Sequence, residues 1–586
     1  LEREVNYPNL TNEKILATDS ETFDPNLKKL GPGVRRKDGF VIGYALATAD
    51  REWFFPWNDK SKMFLHSLKD KDFITQNGLY DYDWFGFVPD GKMFDTKVAE
   101  ALIDSNKFQF NLDSLAKKYL GVSKGDDEIT AYAEEMGWLK RGHKAQEFLK
   151  DMPIDLVGRY CKKDVRQTYD IFHKQLPILE QQNLMEIFDI ETRLLKPVLQ
   201  MIRNGVRIDE QKLEEARVFY KEKQEQIERK IWEITGPDLN LNSGKQLAAF
   251  YDRQKWEYSK TEKGNPCFDK ASLLAQENPL APLLVEFRKV EKLRNSFVEA
   301  LPKFIVNGRI HAGINTVKGD AGGTETGRFS YYNPNFQQIP SRDPEAKKLL
   351  RGLFLPEEGE TWYKPDYSSE EPRITAHYAL GPGSDDIRHR YNENPNFDIY
   401  SYFAEVTNYR NFRTANDAEK KQIRKLFKTI VLGVNYGMGK AKLIRSLGLT
   451  DIEGEKFMEL FHKSFPFLKQ TAQTATRVGE RRGWVKTIMG RRRRFDKREF
   501  AYKSLNSVIQ GSAGDIMKKA MVDAYEEGIF EHITPLITVH DELDVSASKE
   551  NEKYVHRLVE IMENCVALKV PLVVELEQGE DWGSVK

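Results

Sequence analysis

Apolar positions along this chain change their rhythm repeatedly, and each change marks a different kind of element. Between residues 12 and 180 the first apolar runs are short: KILATDSET, DGFVIGYALAT and the WFFPW stretch have the length and period of strands. Helical spacing follows over 96–104, 111–120 and 154–176. Residues 186–300 keep a long helical period in a charged background, through IETRLLKPVLQMIRNG and QKLEEARVFYKEKQEQIERKIWEI, with NLNSGKQL as a helix start. Beyond 300, strands and helices mix, with Gly/Pro breaks at 319–327, 333–344 and 381–396. Residues 418–478 are helical again, and 533–548 reads as a β-hairpin. The pattern predicts a small α/β domain, a helical arm, then a large mixed domain with a helical insertion.

Length and composition sharpen this only a little. A chain of 586 residues exceeds one core, so roughly three or four units are expected. It has no run of about 18 apolar residues, and its polar N-terminus, LEREVNYPNLTNEK, lacks a signal-peptide core. A cytoplasmic protein without membrane contact is expected. Cys161, Cys267 and Cys565 are far apart with no CxxC, which suits a reducing compartment and argues against structural zinc. Basic and acidic residues balance at 90 each, but eleven Lys/Arg fall between Arg477 and Lys503 against three acids. Such a block suits either a phosphate backbone or a solvated face.

Candidate chemistry begins in LATDSET, where Asp19 and Glu21 at i and i+2 project from one strand face. Side-by-side carboxylates repel unless a cation lies between them. In QNGLYDYDWF, Asn77 and Asp81 are four apart; in RYCKKDVRQT, Tyr160 and Asp164 share a helix face. Alone, each pair is an ordinary surface pattern. In this order and spacing, together with DTKVAEALIDS and FNLDSLAKKYLG, they resemble the motifs of DEDD-type 3′–5′ exonucleases of the tyrosine subgroup. The resemblance implies that Asp19, Glu21, Asp81 and Asp164 hold two divalent metals, Mg²⁺ or Mn²⁺ by ligand hardness, and that Tyr160 orients the attacking water.

A second set lies far downstream. TWYKPDYSSEEPRITAHYA reads as a strand ending near Asp366 and Tyr367, then a helix with capping-box spacing at Ser368 and Glu371 and Pro372 in its first turn. LITVHDELDVSA reads as two short strands with His540 and Asp541 at the turn, a common place for Asp. With TETGRFSYYNPNFQQIP, RKLFKTIVLGVNYG, GWVKTIMGRRRRF, NSVIQGSAGDIMKKAM and VPLVVELEQGEDWG, these resemble the motifs of family A DNA polymerases, from about residue 14 to the end.

That resemblance implies an α/β multidomain chain: an RNase H-like exonuclease domain (1–185), then a right-hand polymerase with thumb (186–310), palm (311–400 and 501–586) and fingers (401–500). No 5′-nuclease domain is expected ahead of it. Implied partners are primer–template DNA, dNTPs and a single-stranded DNA 3′ end, met by a monomer. Asp366, Asp541 and the Tyr367 carbonyl would hold two metals. Arg424 and Lys428 would grip the triphosphate, with Leu432 and Tyr436 along the same helix at the sugar and nascent base pair. Glu371 would exclude a ribose 2′-OH. Arg373, Asn506 and Gln510 would face the minor groove, and Arg328 and His540 the primer strand. The chain departs from the family at Ser369-Glu370, Pro372, Leu432, Tyr502 and Gly514. A single-subunit RNA polymerase and a DNA-binding repair nuclease with a degenerate polymerase domain are the alternatives.

Overall fold

The computed structural model describes residues 7–107, 109–123, 127–139, 143–320, 322–435 and 449–585. The chain divides into two compact units: residues 1–205, 312–337 and 363–577, and residues 206–311, 338–362 and 578–586.

The first unit opens with a five-stranded sheet of β1 (Ile15–Phe23), β2 (Phe40–Ala47), β3 (Glu52–Pro56), β4 (Asp72–Thr75) and β5 (Met93–Asp95), ordered β3-β2-β1-β4-β5. β1 runs antiparallel to β2 and parallel to β4. Its central position explains its apolar Leu16 and Ala17, both fully buried. The register of β1 slips between Glu21 and Thr22, a bulge just after the second acid of the DxE pair. Helices α1 (Gly78–Phe85), α2 (Thr96–Ile103), α3 (Leu112–Leu120) and α4 (Ile154–Gln181) are among those of this part. Asp95 caps α2 by accepting from the Lys97 and Val98 amides at 2.8 and 3.2 Å, and Asn111 caps α3 through Ser114 N.

Helix α5 (Met185–Asn204) continues in the same unit. Further on lies a sheet ordered β7-β8-β6-β9, made of β6 (Thr361–Tyr367), β7 (Thr534–Val539), β8 (Glu542–Ala547) and β9 (Val574–Gly579). Helices α6 (Glu370–Tyr378) and α8 (Ser504–Glu526) follow in the same unit, and α7 (Asp417–Asn435) lies in the helical insertion between them. The helical insertion has its own core, where Phe403, Phe427, Phe461 and Phe465 are buried together; each such ring contributes roughly 1.5–3 kcal/mol by leaving water.

The second unit pairs the helix Glu210–Thr235 with Leu280–Leu293 beside a sheet of very short strands. Its buried Trp582 stacks near Trp362, with the Arg351 guanidinium 4.0 Å from the Trp582 ring centre. No described helix is long and apolar enough to cross a membrane.

The basic block resolves against the phosphate-surface reading over residues 491–494. Arg491 is buried and bonds Glu191 and Asp515; Arg492 donates to the Gln182 carbonyl and lies over the Trp484 ring. Arg493 bonds Asn106 and Glu325, and Arg494 bonds the Leu102 carbonyl and Gln182. The guanidinium groups of Arg492, Arg493 and Arg494 join the C-terminal part of this unit to its N-terminal part.

Candidate active sites

The N-terminal acids lie close to one another. Asp19 and Glu21 on β1 approach Cys161 on α4, so that one ligand atom from each lies within 4.8 Å of the others. Tyr160, buried on α4, feels the charges of Glu21, Asp164 and Asp19, and Cys161 those of all four acids. Asp81 on α1 is buried and accepts from Ser20 N at 3.0 Å and Ser20 Oγ at 2.6 Å. Burial pushes the Asp81 carboxyl up to about 7, the Asp95 charge adds to this, and the Ser20 bonds resist it. A cleft of about 320 Å³ opens between Asp19, Ser20, Glu21, Asn77, Asp164 and others. Hard oxygen donors set against mutual repulsion fit divalent cations here.

At the other site, the end of β6 meets the turn between β7 and β8. Tyr367 N donates to the Asp541 carbonyl at 3.0 Å, which sets Asp366 beside Asp541. Val539 pairs with Glu542, leaving a two-residue turn in which His540 sits at φ 61°, a conformation that glycine adopts more readily. Strained backbone of this kind clusters at functional sites. Burial, then the Asp541 charge, raise the Asp366 carboxyl to about 6, while Lys364 opposes the rise; burial also raises Asp541. Lys364 Nζ lies 3.3 Å from Asp366, 3.6 Å from Glu542 and 3.0 Å from Glu577. Lys364 was legible in principle, standing two residues from Asp366 on the same strand face. The Tyr367 phenol points into the core and donates to the Met562 carbonyl at 2.7 Å, so its backbone is what the site receives.

The expected cap does not form. Helix α6 is preceded by Ser369 at φ 53° with no side-chain cap, and Ser368 Oγ donates to Glu575 at 2.6 Å. Glu371 instead pairs with Arg328 at 2.8 Å. Glu370, one of the departures, is buried beside it; burial and then the Asp541 charge push its carboxyl well above the usual range. Arg373 needs correction. It is 2% exposed and donates to the carbonyls of Ser368, Pro571 and Pro395, so here it is interior scaffolding and does not face a minor groove. A lone Arg in a helix carries no sequence sign of such burial.

Asn506 and Gln510 are half-buried, one turn apart near the start of α8, and His540 is exposed. On α7, Arg424 bonds Asp398 at 2.7 Å over the Tyr400 ring, Lys428 is exposed and Leu432 half-buried. Tyr436 lies outside the described residues.

Comparison with known proteins identifies families for both parts of the chain. The profile of a family described as DNA polymerase family A matches residues 210–584, and that of a 3′–5′ exonuclease matches 54–180. A "DNA-directed DNA polymerase" of Pseudomonas phage M6 is 29% identical over 98% of this chain and 95% of its own. "DNA polymerase DpoZ" of Acinetobacter phage SH-Ab 15497 is 30% identical over 98% of both. "DNA polymerase I" of Geobacillus stearothermophilus is 30% identical over 93% of this chain and 62% of its own. In fold, the chain resembles a solved structure described as the POL domain of Pol1 from M. smegmatis in complex with DNA primer-template and dNTP. The TM-score is 0.81 at 23% identity, over 97% of this chain and 95% of the other.

Proposed function

The chain belongs to DNA polymerase family A and carries a 3′–5′ exonuclease domain, and from that premise we propose how its two carboxylate sites divide synthesis and excision. Family A polymerase and exonuclease domains generally use divalent metal ions. Asp366, Asp541 and the Tyr367 carbonyl would hold two, Mg²⁺ or Mn²⁺, at the synthetic site; Asp19, Glu21, Asp81 and Asp164 would hold two at the other. Bound there, the cations supply charge neutralisation at the reacting oxygens.

The remaining work falls to this chain's own side chains. Primer–template DNA and dNTPs are the substrates, as in the resembling Pol1 complex. Arg424, released from Asp398, and exposed Lys428 grip the triphosphate, whose charge grows toward the leaving pyrophosphate. Arg328 holds Glu371, so that the carboxylate blocks a ribose 2′-OH. Leu432 and Tyr436 border the nucleotide, while Arg328 and His540 meet the primer end. Asn506 and Gln510 read acceptors that all base pairs share in the minor groove. In the exonuclease, Tyr160 orients the attacking water over a single-stranded 3′ end. A monomer suffices for both reactions.

The observation that carries this reading is the Tyr367–Asp541 backbone bond, which closes Asp366 and Asp541 into one site from distant segments. Replacing Asp541 with Asn is expected to cut primer extension by orders of magnitude while degradation of single-stranded DNA continues. Equal loss of both activities in a folded variant rejects the two-site division.

A further inference from the structure

The exonuclease cleft is not built by the N-terminal domain alone. A hairpin from the polymerase part of the same unit, described over residues 316–320 and 322–327, reaches it. Its feet are clamped: buried Lys518 donates to the Thr316 carbonyl, and Gly327 packs so tightly on Arg491 that a Cβ there would lie 2.6 Å from the guanidinium carbon. Lys518 and Arg491 share the buried Glu191, and Arg491 also bonds Asp515. Near the tip, Gly319 and Gly322 exchange backbone hydrogen bonds of 2.7 and 3.1 Å. Gly323, at φ 96°, has no room for a Cβ, which would fall 2.3 Å from the Val317 carbonyl.

Two contacts at this tip bear on the cleft. Asp320 accepts from Phe110 N at 2.9 Å, with Asn111 Nδ2 at 3.5 Å, and it lines the same cavity as Asp19, Glu21 and Asp164. Gly319 lies over Lys97, where a Cβ would come within 2.5 Å of Cε and 3.1 Å of Nζ. Among the described residues lining the cleft, Lys97 is the cationic one. Its Nζ donates to Asn77 Oδ1 at 2.9 Å, and the charges of Asp95 and Asp320 oppose the loss of proton that burial favours.

We propose that Lys97 and Asp320 form a strand-positioning pair of the exonuclease, the second member supplied by the polymerase domain. The proposal rests on reading Asp19, Glu21, Asp81 and Asp164 as the exonuclease site. A nucleic-acid strand entering a cleft rich in carboxylates needs a cation to meet a backbone phosphate, and Lys97 is placed to be it. Its partner in the free protein is a neutral amide oxygen, which an anionic phosphate oxygen replaces with a stronger, charge-assisted bond. Gly319 packs against the Lys97 stem, and the Asp320 charge helps to keep the amine protonated. Asp320 also fixes the backbone at Phe110, just before the start of α3.

The test uses the full chain with single-stranded DNA across a salt series, alongside primer extension. Lys97→Gln is expected to raise the KM for excision about tenfold, the worth of one hydrogen bond to a charged group, with a smaller change in kcat. The slope of log KM against log salt should fall by about 0.7, as for one lost phosphate contact on a single strand. Lys97→Arg should restore the slope, and Asp320→Asn should raise KM less than Lys97→Gln does. Extension should stay within about twofold of native throughout, a change under 0.5 kcal/mol. Native KM and salt slope in Lys97→Gln overturn the proposal, as does an equal fall of excision and extension. Asp19→Ala with Glu21→Ala separates the two readings. If that variant still excises, the site itself is misassigned. If it is inert while Lys97→Gln behaves as native, only the pair is wrong.

Discussion

The two carboxylate sites solve the same electrostatic problem differently. Around Cys161 the exonuclease acids are mostly buried: Glu21, Asp81 and Asp164 are each under one-tenth exposed, and Asp81 is fastened to Ser20. At the proposed polymerase site Asp366 and Asp541 sit half-exposed at strand ends and carry protein cations beside them, Lys364 against Asp366 and Arg328 on Glu371. In the first, burial behind a closed wall pushes Asp81 up to about 7, and the Asp95 charge adds to it. In the second, burial and then the Asp541 charge raise Asp366 to about 6, while Lys364 opposes the rise. A closed site suits one flexible strand end, whereas an open one must admit a duplex and a nucleotide together.

The hardest way to break this comparison is to empty the closed site. Asp19→Ala with Glu21→Ala is expected to remove excision of a mismatched primer end by orders of magnitude and leave extension intact. Trimming at the native rate would place the nuclease elsewhere. Next comes the buried network that clamps the hairpin at Thr316 and Gly327. Arg491→Met leaves Glu191 and Asp515 short of a buried partner, and breaking such a pair typically costs about 3–5 kcal/mol. Denaturant unfolding should show that loss, and both activities should weaken together. A loss of extension alone would mean that the network serves only the palm.

A smaller effect tests how open the polymerase site is. Leu432 offers no hydroxyl where a tyrosine would, so the native enzyme should discriminate against dideoxynucleotides. Leu432→Tyr should improve their use relative to dNTPs about tenfold, since a polar contact in a dry site is worth roughly 1–3 kcal/mol. An unchanged ratio in single-turnover incorporation would show that residue 432 does not face the sugar.

The smallest effect concerns Glu370, which brings the closed style of burial into the open site. Its folded pKa lies above its unfolded value near 4.3. The stability it contributes is therefore complete below that value and is lost as pH rises toward the folded pKa. Glu370→Gln should flatten Tm against pH and gain on the native protein as pH climbs. Parallel curves would show that Glu370 ionises freely in the fold.

Much of this was legible because it is local. Periodicity over 96–104, 111–120 and 154–176 corresponds to α2, α3 and α4, and the alternation at 533–548 to β7 and β8 with Asp541 in their turn. The DxE pair and the Tyr160–Asp164 spacing each lie within one element, so their faces follow from geometry alone. What was missed is non-local. Arg491–Arg494 resemble a phosphate grip until their acceptors are known, and those acceptors lie at 102, 106, 182, 191, 325 and 515. Arg373 misleads in the same way, being saturated by carbonyls that any sequence possesses. Asp320 has no local signal, because its partners Phe110 and Asn111 belong to another domain.

The arginine run sets a limit on modularity. Arg492, Arg493 and Arg494 spend their donors on Gln182, Asn106 and Leu102. A truncation that removed the exonuclease would leave three guanidinium groups without these acceptors and uncover the surface beneath them. A trimmed, excision-free enzyme would thus need those arginines redesigned, whereas point inactivation of the acids leaves the joint intact. Transplanting the exonuclease onto another polymerase carries the mirror-image requirement, since the host would have to bring its own hairpin to the cleft.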